Sequence, residues 1–159
     1  MSVAFTKESD AEAVAADLPD RPIPAHANLV TPAGLAQIEA ELAAARAAYD
    51  AARSAGEISA DRSAMARATR DLRYWSARRA SAQLVEARAP DDTVRFGSRV
   101  SFVRDDGRQQ TYAIVGDDEA DPAQGSVSHV SPLARAMVGK SIGDMVTLAG
   151  QPVEIIGIE

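Results

Sequence analysis

Apolar and small residues at Leu35, Ile38, Leu42, Ala45, Tyr49 and Ala52 recur at intervals that alternate between three and four, the spacing of a coiled-coil seam. A second run carries Ile58, Met65 and Leu72 on one row and Ala68, Trp75 and Ala82 on another, with Asp61 and Arg79 also falling on these rows. Only the turn Ser54-Ala55-Gly56-Glu57-Ile58-Ser59-Ala60-Asp61 separates the runs. The pattern predicts an antiparallel helical hairpin over 31–89 with its tip near 55–61. Thr31 suits the N-cap of the first arm and Pro32 its first helical position. Gly56 suits the arm's end, Ser59 the cap of the second arm, and Pro90-Asp91-Asp92 its stop. A first arm of about 23 residues at ~1.5 Å each carries the tip roughly 35 Å out.

From residue 93 the period changes to two. Arg95 to Val103 reads as a strand with Phe96, Val100 and Phe102 on alternate positions, Asp105-Asp106-Gly107 as a hairpin turn, and Thr111 to Val115 as the return strand. An acidic loop from Gly116 to Gly125 leads to a short strand, Ser126 to Val130. Ser131-Pro132 opens a short helix that Gly139 closes. Met145 to Leu148 and Val153 to Ile158 complete the set, joined through Ala149-Gly150-Gln151-Pro152. The chain is therefore expected to be α+β, with a helical hairpin followed over 93–159 by an antiparallel sheet with a short helix. Residues 1–30 precede both. Asp10 to Leu18 is compatible with a short helix, and Pro19, Pro22 and Pro24 favour an extended segment, read as a mobile tail with a docked arm as the alternative.

Composition sharpens this picture. The 159 residues are 46% apolar but only 4% aromatic. Much of the apolar content is alanine in the middle third, which suits a thin two-helix seam better than a thick core. Net charge is -6, so the chain as a whole is not built to coat nucleic acid. Yet seven arginines lie between Arg62 and Arg88 against Asp71 and Glu86. Arg67, Arg70 and Arg78, with Tyr74 between, fall near one helical face, which either follows a phosphate backbone or is a solvated face. At the tip, Glu57 and Asp61 stand at i and i+4. They can share a hard cation such as Mg²⁺, or serve as a turn acid and a helix-dipole acid. The loop acids Asp117, Asp118, Glu119 and Asp121 suit a basic partner surface or plain solvation. With no cysteine and two histidines, His26 and His129, without metal-ligand spacing, no stably bound metal or cofactor of its own is expected. No catalytic triad or phosphate loop is recognisable, so no independent active site is expected. Absence of a signal segment and of ~20 consecutive apolar residues points to a cytoplasmic protein without membrane contact.

Several stretches resemble the bacterial transcript-cleavage factors GreA and GreB. They are Val30-Thr31-Pro32-Ala33-Gly34-Leu35, Phe96-Gly97-Ser98-Arg99-Val100, Gln110 to Asp121, and Val130-Ser131-Pro132-Leu133-Ala134-Arg135-Ala136-Met137-Val138-Gly139-Lys140. The resemblance covers roughly 29–159. It implies a monomer with an N-terminal antiparallel coiled coil and an FKBP-like C-terminal domain without isomerase activity. It implies docking on RNA polymerase at the secondary channel, here through the acidic loop with Ser131, Pro132 and Arg135. It further implies that the tip acids, Glu57 with Asp61, help hold an Mg²⁺ shared with the polymerase active site, while Arg67, Arg70 and Arg78 guide the nascent RNA 3′ end. The polymerase then cleaves backtracked RNA by metal-assisted hydrolysis. The tip Gly56-Glu57-Ile58-Ser59-Ala60-Asp61 departs from the family pattern, which has a glutamate where Ala60 stands and an asparagine where Asp61 stands. A one-residue slip places Asp61 on the second acid; without it, a polymerase-binding regulator that lacks cleavage and competes with true Gre factors is the alternative. A coiled-coil scaffold or nucleic-acid-binding protein is the reading outside transcription factors.

Overall fold

The structure, a computed structural model, describes residues 18–55 and 59–159, without the side chains of 59–61. The chain divides into two compact units. One contains Ile38–Ser81 and the described N-terminal segment up to Ala27; the other contains Asn28–Gln37 and Ala82–Glu159.

The first unit is built on helix α1, Pro32–Ser54, whose first turns belong to the other unit, and helix α2, Ser59–Ser81. Ile38, Leu42 and Ala45 are buried along α1, as the three-four spacing requires. Arg79, near the end of α2, donates from Nε to Glu39 Oε1 at 2.9 Å near the start of α1, so the helices run antiparallel. On α2 the row through Ala68 and Trp75 is buried as expected. The other row is not where a strict heptad places it: Arg78 is 1% exposed, whereas Arg79 lies on the exposed flank. The N-terminal segment packs against neighbouring positions of α2. Arg21 stacks its guanidinium 3.7 Å from the Tyr74 ring centroid and 5.3 Å from that of Trp75, and pairs with Asp71 at 3.5 Å. Asp20 pairs with Arg73 at 3.2 Å. Asp71, Tyr74, Trp75 and Arg78 share one helical face, and the segment docks there. The expected mobile tail is thus, over Asp20–Arg21, a strap on α2. Each ion pair alone is worth at most about 1 kcal/mol because both partners are exposed. The stacked guanidinium adds about 0.5–2 kcal/mol.

Helix α2 stops at Ser81, eight residues before the expected Ala89. The sequence from Ala82 to Ala89 has ample helix propensity, but its backbone donors are claimed elsewhere. Gln83 and Val85 N–H groups donate to the carbonyls of Asn28 and Val30 at 2.8 and 2.9 Å. Strand β1, Leu29–Val30, and strand β2, Gln83–Leu84, thereby pair in parallel. Tertiary hydrogen bonding overrides a propensity worth only tenths of a kcal/mol per residue.

The second unit carries a five-stranded sheet of β3 (Arg99–Arg104), β4 (Gln109–Val115), β5 (Ser126–Ser128), β6 (Met145–Leu148) and β7 (Gln151–Ile158), in the order β5-β4-β3-β7-β6. Helix α3, Pro132–Met137, lies between β5 and β6 in sequence. Val100, Phe102, Ile114, Val127, Val146, Leu148, Val153 and Ile155 bury one face together with Ala134 and Met137 of α3. The α+β class holds, but the sheet is mixed rather than antiparallel throughout: β5 runs parallel to β4. The ten residues 116–125 between them leave room for the crossover that a parallel pair needs. Phe96 precedes the strand and is half-buried. The β6–β7 turn is only Ala149-Gly150, both at positive φ, 49° and 77°, the geometry of a two-residue hairpin turn. Strand β7 therefore starts at Gln151 and includes Pro152. That proline lies one residue past the last β3–β7 pair, Arg104 with Val153, so its missing N–H removes no bond to β3.

The β3–β4 turn closes as expected on Gly107, at φ 82°. Asp106 accepts from the Arg108 backbone N–H at 3.0 Å and from its Nε at 2.6 Å. The backbone bond, then the guanidinium bond, hold the Asp106 carboxyl below its ordinary value. A depressed native pKa contributes stability that is present above the unfolded-state pKa and lost as pH falls through the native one. In a carboxyl-detected NMR titration, Asp106 should therefore titrate below about 3.9, the free aspartate value, and Arg108→Ala should raise its midpoint.

Candidate functional site: the acidic loop, the helix arms and the tip

The acidic loop is held by its own chain. Thr31 caps α1 by accepting the Gly34 N–H on Oγ1 at 3.0 Å. The same hydroxyl donates to Glu119 Oε2 at 2.6 Å. One hydroxyl thus links the first turn of α1 to the loop, and the carboxylate lies at a helix N-terminus where negative charge is favoured. Gly34 is required by this contact, since a Cβ there would stand 2.6 Å from Glu119 Oε2. Gln37 Nε2 donates to the Asp118 carbonyl at 3.2 Å. Gly116, at the start of the loop, passes so close to β1 that a Cβ would be 2.5 Å from the Leu29 carbonyl oxygen.

The other docking candidates are largely structural as well. Asp117 accepts from Ser128 Oγ at 2.6 Å. Asp121 caps the 3₁₀ turn Pro122–Gln124 by accepting from Ala123 N–H at 3.1 Å. Ser131 caps α3 by accepting from Ala134 N–H at 3.2 Å, with Pro132 in the first helical turn. Arg135 is exposed and lines a shallow depression of about 320 Å³ with Leu29, Phe96, His129 and Val138. Asp118, Glu119 and Asp121 line a different depression, with Gln37 and Arg99. The seven residues therefore form no single patch around one pocket. Sequence reasoning missed Gly34 and Gln37 as the loop's partners. The available signal was a glycine in the first turn of a helix, where it costs about 1 kcal/mol against alanine and so marks a close approach.

The arginine face of α2 divides. Arg67 is exposed. Arg70 is half-buried, and its Nε makes no hydrogen bond among the described residues, standing 3.7 Å from Asp71 Oδ1. Arg78 is buried and cannot follow an external phosphate chain from where it stands. At the tip, Gly56–Ile58 lie outside the described residues, and with them Glu57; the side chains of Ala60 and Asp61 do so as well. What the structure places are the flanks: α1 ends at Ser54 and α2 begins at Ser59. No helix among the described residues is long and apolar enough to cross a membrane.

Residues 89–159 match the family described as transcription elongation factor, GreA/GreB, C-term. The chain is 42% identical over 96 residues to transcription elongation factor GreB of Neisseria meningitidis serogroup B, covering 57% of this chain and 59% of that protein. It is 35% identical over 135 residues to transcription elongation factor GreA of Rhodospirillum rubrum, covering 74% of this chain and 85% of that protein. Among solved structures, GreA factor homolog 1 of Thermus thermophilus overlaps at a TM-score of 0.40 and 18% identity, over 84% of this chain and 99% of that one.

The relay through Thr31 yields a double-mutant cycle. Glu119→Ala should cost about 1.5–3 kcal/mol, the range of a hydrogen bond to a charged group, and Thr31→Ala a similar amount with the cap included. In chemical denaturation the double variant should lose clearly less than the sum, with a coupling of about 0.5–3 kcal/mol. Strict additivity would mean that the two groups do not act together.

Proposed function

We propose, from the premise that the chain belongs to the GreA/GreB family of transcription elongation factors, that it binds RNA polymerase at the secondary channel and promotes cleavage of backtracked RNA. The observation that carries this reading is the antiparallel α1–α2 pair, between whose ends, Ser54 and Ser59, the sequence places Glu57. Helix α1, with 23 residues, is about 35 Å long. In this reading Glu57 and Asp61 would supply oxygen ligands to an Mg²⁺ shared with the polymerase. Oxygen donors from one or two carboxylates suit that ion, which supplies Lewis-acid activation of water and phosphate when bound. The chain contributes reach and carboxylates and works through the polymerase's chemistry rather than as an enzyme by itself, in the cytoplasm where transcription proceeds. Asp118 and Arg135 are the docking residues in this reading, while Glu119, Asp121 and Ser131 shape the surface from behind. Arg67 and Arg70 remain the side chains that guide the RNA 3′ end.

The tip supports a second reading. Ala60 stands where the family pattern has its second acid, and an alanine offers no ligand to a cation. A polymerase-binding regulator without cleavage, competing with true Gre factors, follows from that substitution.

Two assays separate the readings. On stalled elongation complexes, the chain should release short RNA, and Glu57→Ala with Asp61→Ala should reduce that release by about 10²-fold or more, as removal of a transition-state ligand does. Equal, low release from both proteins would rule out the cleavage reading. In that event, the chain should still displace an active GreA from the complexes in a concentration-dependent manner; failure to do so would remove the second reading too.

A further inference from the structure

A three-residue rhythm runs through the strap. Leu18, Arg21 and Pro24 are half-buried, whereas Pro19, Asp20, Pro22 and Ile23 between them are exposed. A polyproline II helix has three residues per turn, so this rhythm turns one edge of the segment inward. Pro19, Pro22 and Pro24 each fix φ at about −65°, and a segment stiffened in this way loses little freedom on docking. The inward edge presents the Arg21 guanidinium to one face of α2, where Asp71, Tyr74 and Trp75 stand at i, i+3 and i+4. The Tyr74 and Trp75 rings meet edge to face, their centroids 5.0 Å apart and their planes at 81°, and form two walls of a corner. Trp75 is 9% exposed, so its wall is anchored in the seam. The guanidinium lies 3.7 Å from the Tyr74 centroid and 5.3 Å from that of Trp75, both within the reach of about 6 Å over which a ring face attracts a cation. Its NH1 is 3.5 Å from Asp71 Oδ1. A planar cation stacks on a ring and points a donor at a carboxylate at the same time; an ammonium, a compact point charge, cannot do both.

We propose that Asp71, Tyr74 and Trp75 form a recognition site for an arginine carried on a proline-rich, extended polypeptide segment, and that Arg21 is its tethered, exchangeable occupant. The contacts that hold the strap are open ones. The Arg21 and Asp71 side chains are 36% and 39% exposed, and those of Arg73 and Asp20 66% and 63%. Such contacts release without disturbing the buried seam residues Ile38, Leu42 and Ala68. When the strap lifts, an arginine in the same setting on a partner polypeptide takes the corner, so the strap acts as a built-in competitor that sets how much partner is needed. This assignment goes beyond the polymerase reading and stands independently of it.

The chain has a single tryptophan, Trp75, so its fluorescence reports on the corner alone. A synthetic peptide with the sequence of residues 18–27, added to full-length Arg21→Ala protein, should shift Trp75 emission saturably and move the α2 amides near Asp71 and Tyr74. Placing Arg21→Ala in the peptide as well should weaken its binding by about 2- to 30-fold, the worth of a stacked guanidinium, and Arg21→Lys should recover only part of that loss. Asp71→Asn in the protein should weaken the arginine peptide while helix content, read by circular dichroism, stays unchanged. Against the wild-type chain, the peptide should have to reach roughly millimolar concentration, the effective concentration of a short tether, before the signal appears. No saturable change with the Arg21→Ala protein, or equal binding of the arginine and alanine peptides, would overturn the proposal. Trp75 emission of the wild-type chain that varies with protein concentration would place Arg21 in the corner of another copy and overturn the tethered occupancy.

Discussion

One hydroxyl group couples the start of the long helix to the sheet. Thr31 Oγ1 accepts the helix's Gly34 N–H and donates its own proton to Glu119. Neither bond would be worth much in isolation, about 1 kcal/mol for a cap and about 1.5–3 for a charge-assisted bond. Linked through one atom they polarise each other, and they fix where the acidic loop runs. Gly34 and Gly116 belong to the same constraint, because a side chain at either would occupy the space of Glu119 or of the Leu29 carbonyl. The parallel pairing of β1 with β2 closes the arrangement from the other side of the hairpin sequence.

This changes what acidic residues in the loop mean. A cluster of carboxylates invites the idea of a surface that attracts a basic partner. Here Asp117, Glu119 and Asp121 each serve a hydrogen-bond donor of their own chain. Their negative charge still contributes to the surface field, but their positions are dictated by folding. A similar inversion applies to Arg78. A buried arginine is tolerated only when its donors are satisfied and its stem is packed. Its face of α2 also holds Trp75 and the strap contacts, which turns a residue that looks solvent-directed by composition into part of the interior of its unit.

Local rules make much of the architecture readable in the sequence. The three-four spacing located Ile38, Leu42 and Ala45; capping chemistry located Thr31-Pro32 and Ser131-Pro132; the Asp-Asp-Gly turn located the β3–β4 hairpin. What remained hidden depended on residues far apart in sequence. Nothing near Ala82 announces that Asn28 and Val30 will claim the next backbone donors, so the helix was expected to continue. The parallel course of β5 follows from a crossover rather than from any property of Ser126–Ser128. A seven-residue repeat assigns Arg79 to the seam, whereas Arg78 is the one inside. In the candidate site, residue types were legible while their partners were not: Glu119 carries no mark that singles out Thr31.

The early stop of α2 leaves both helices with 23 residues. Matched arms constrain how such a chain can change length over evolution. A residue gained or lost in one arm rotates everything beyond it by about 100° and takes its apolar stripe off the partner. Length variation should therefore be concerted, with compensating changes on both sides of the turn and in steps near seven residues that restore the stripe. The hairpin behaves as a ruler whose two edges must be cut together.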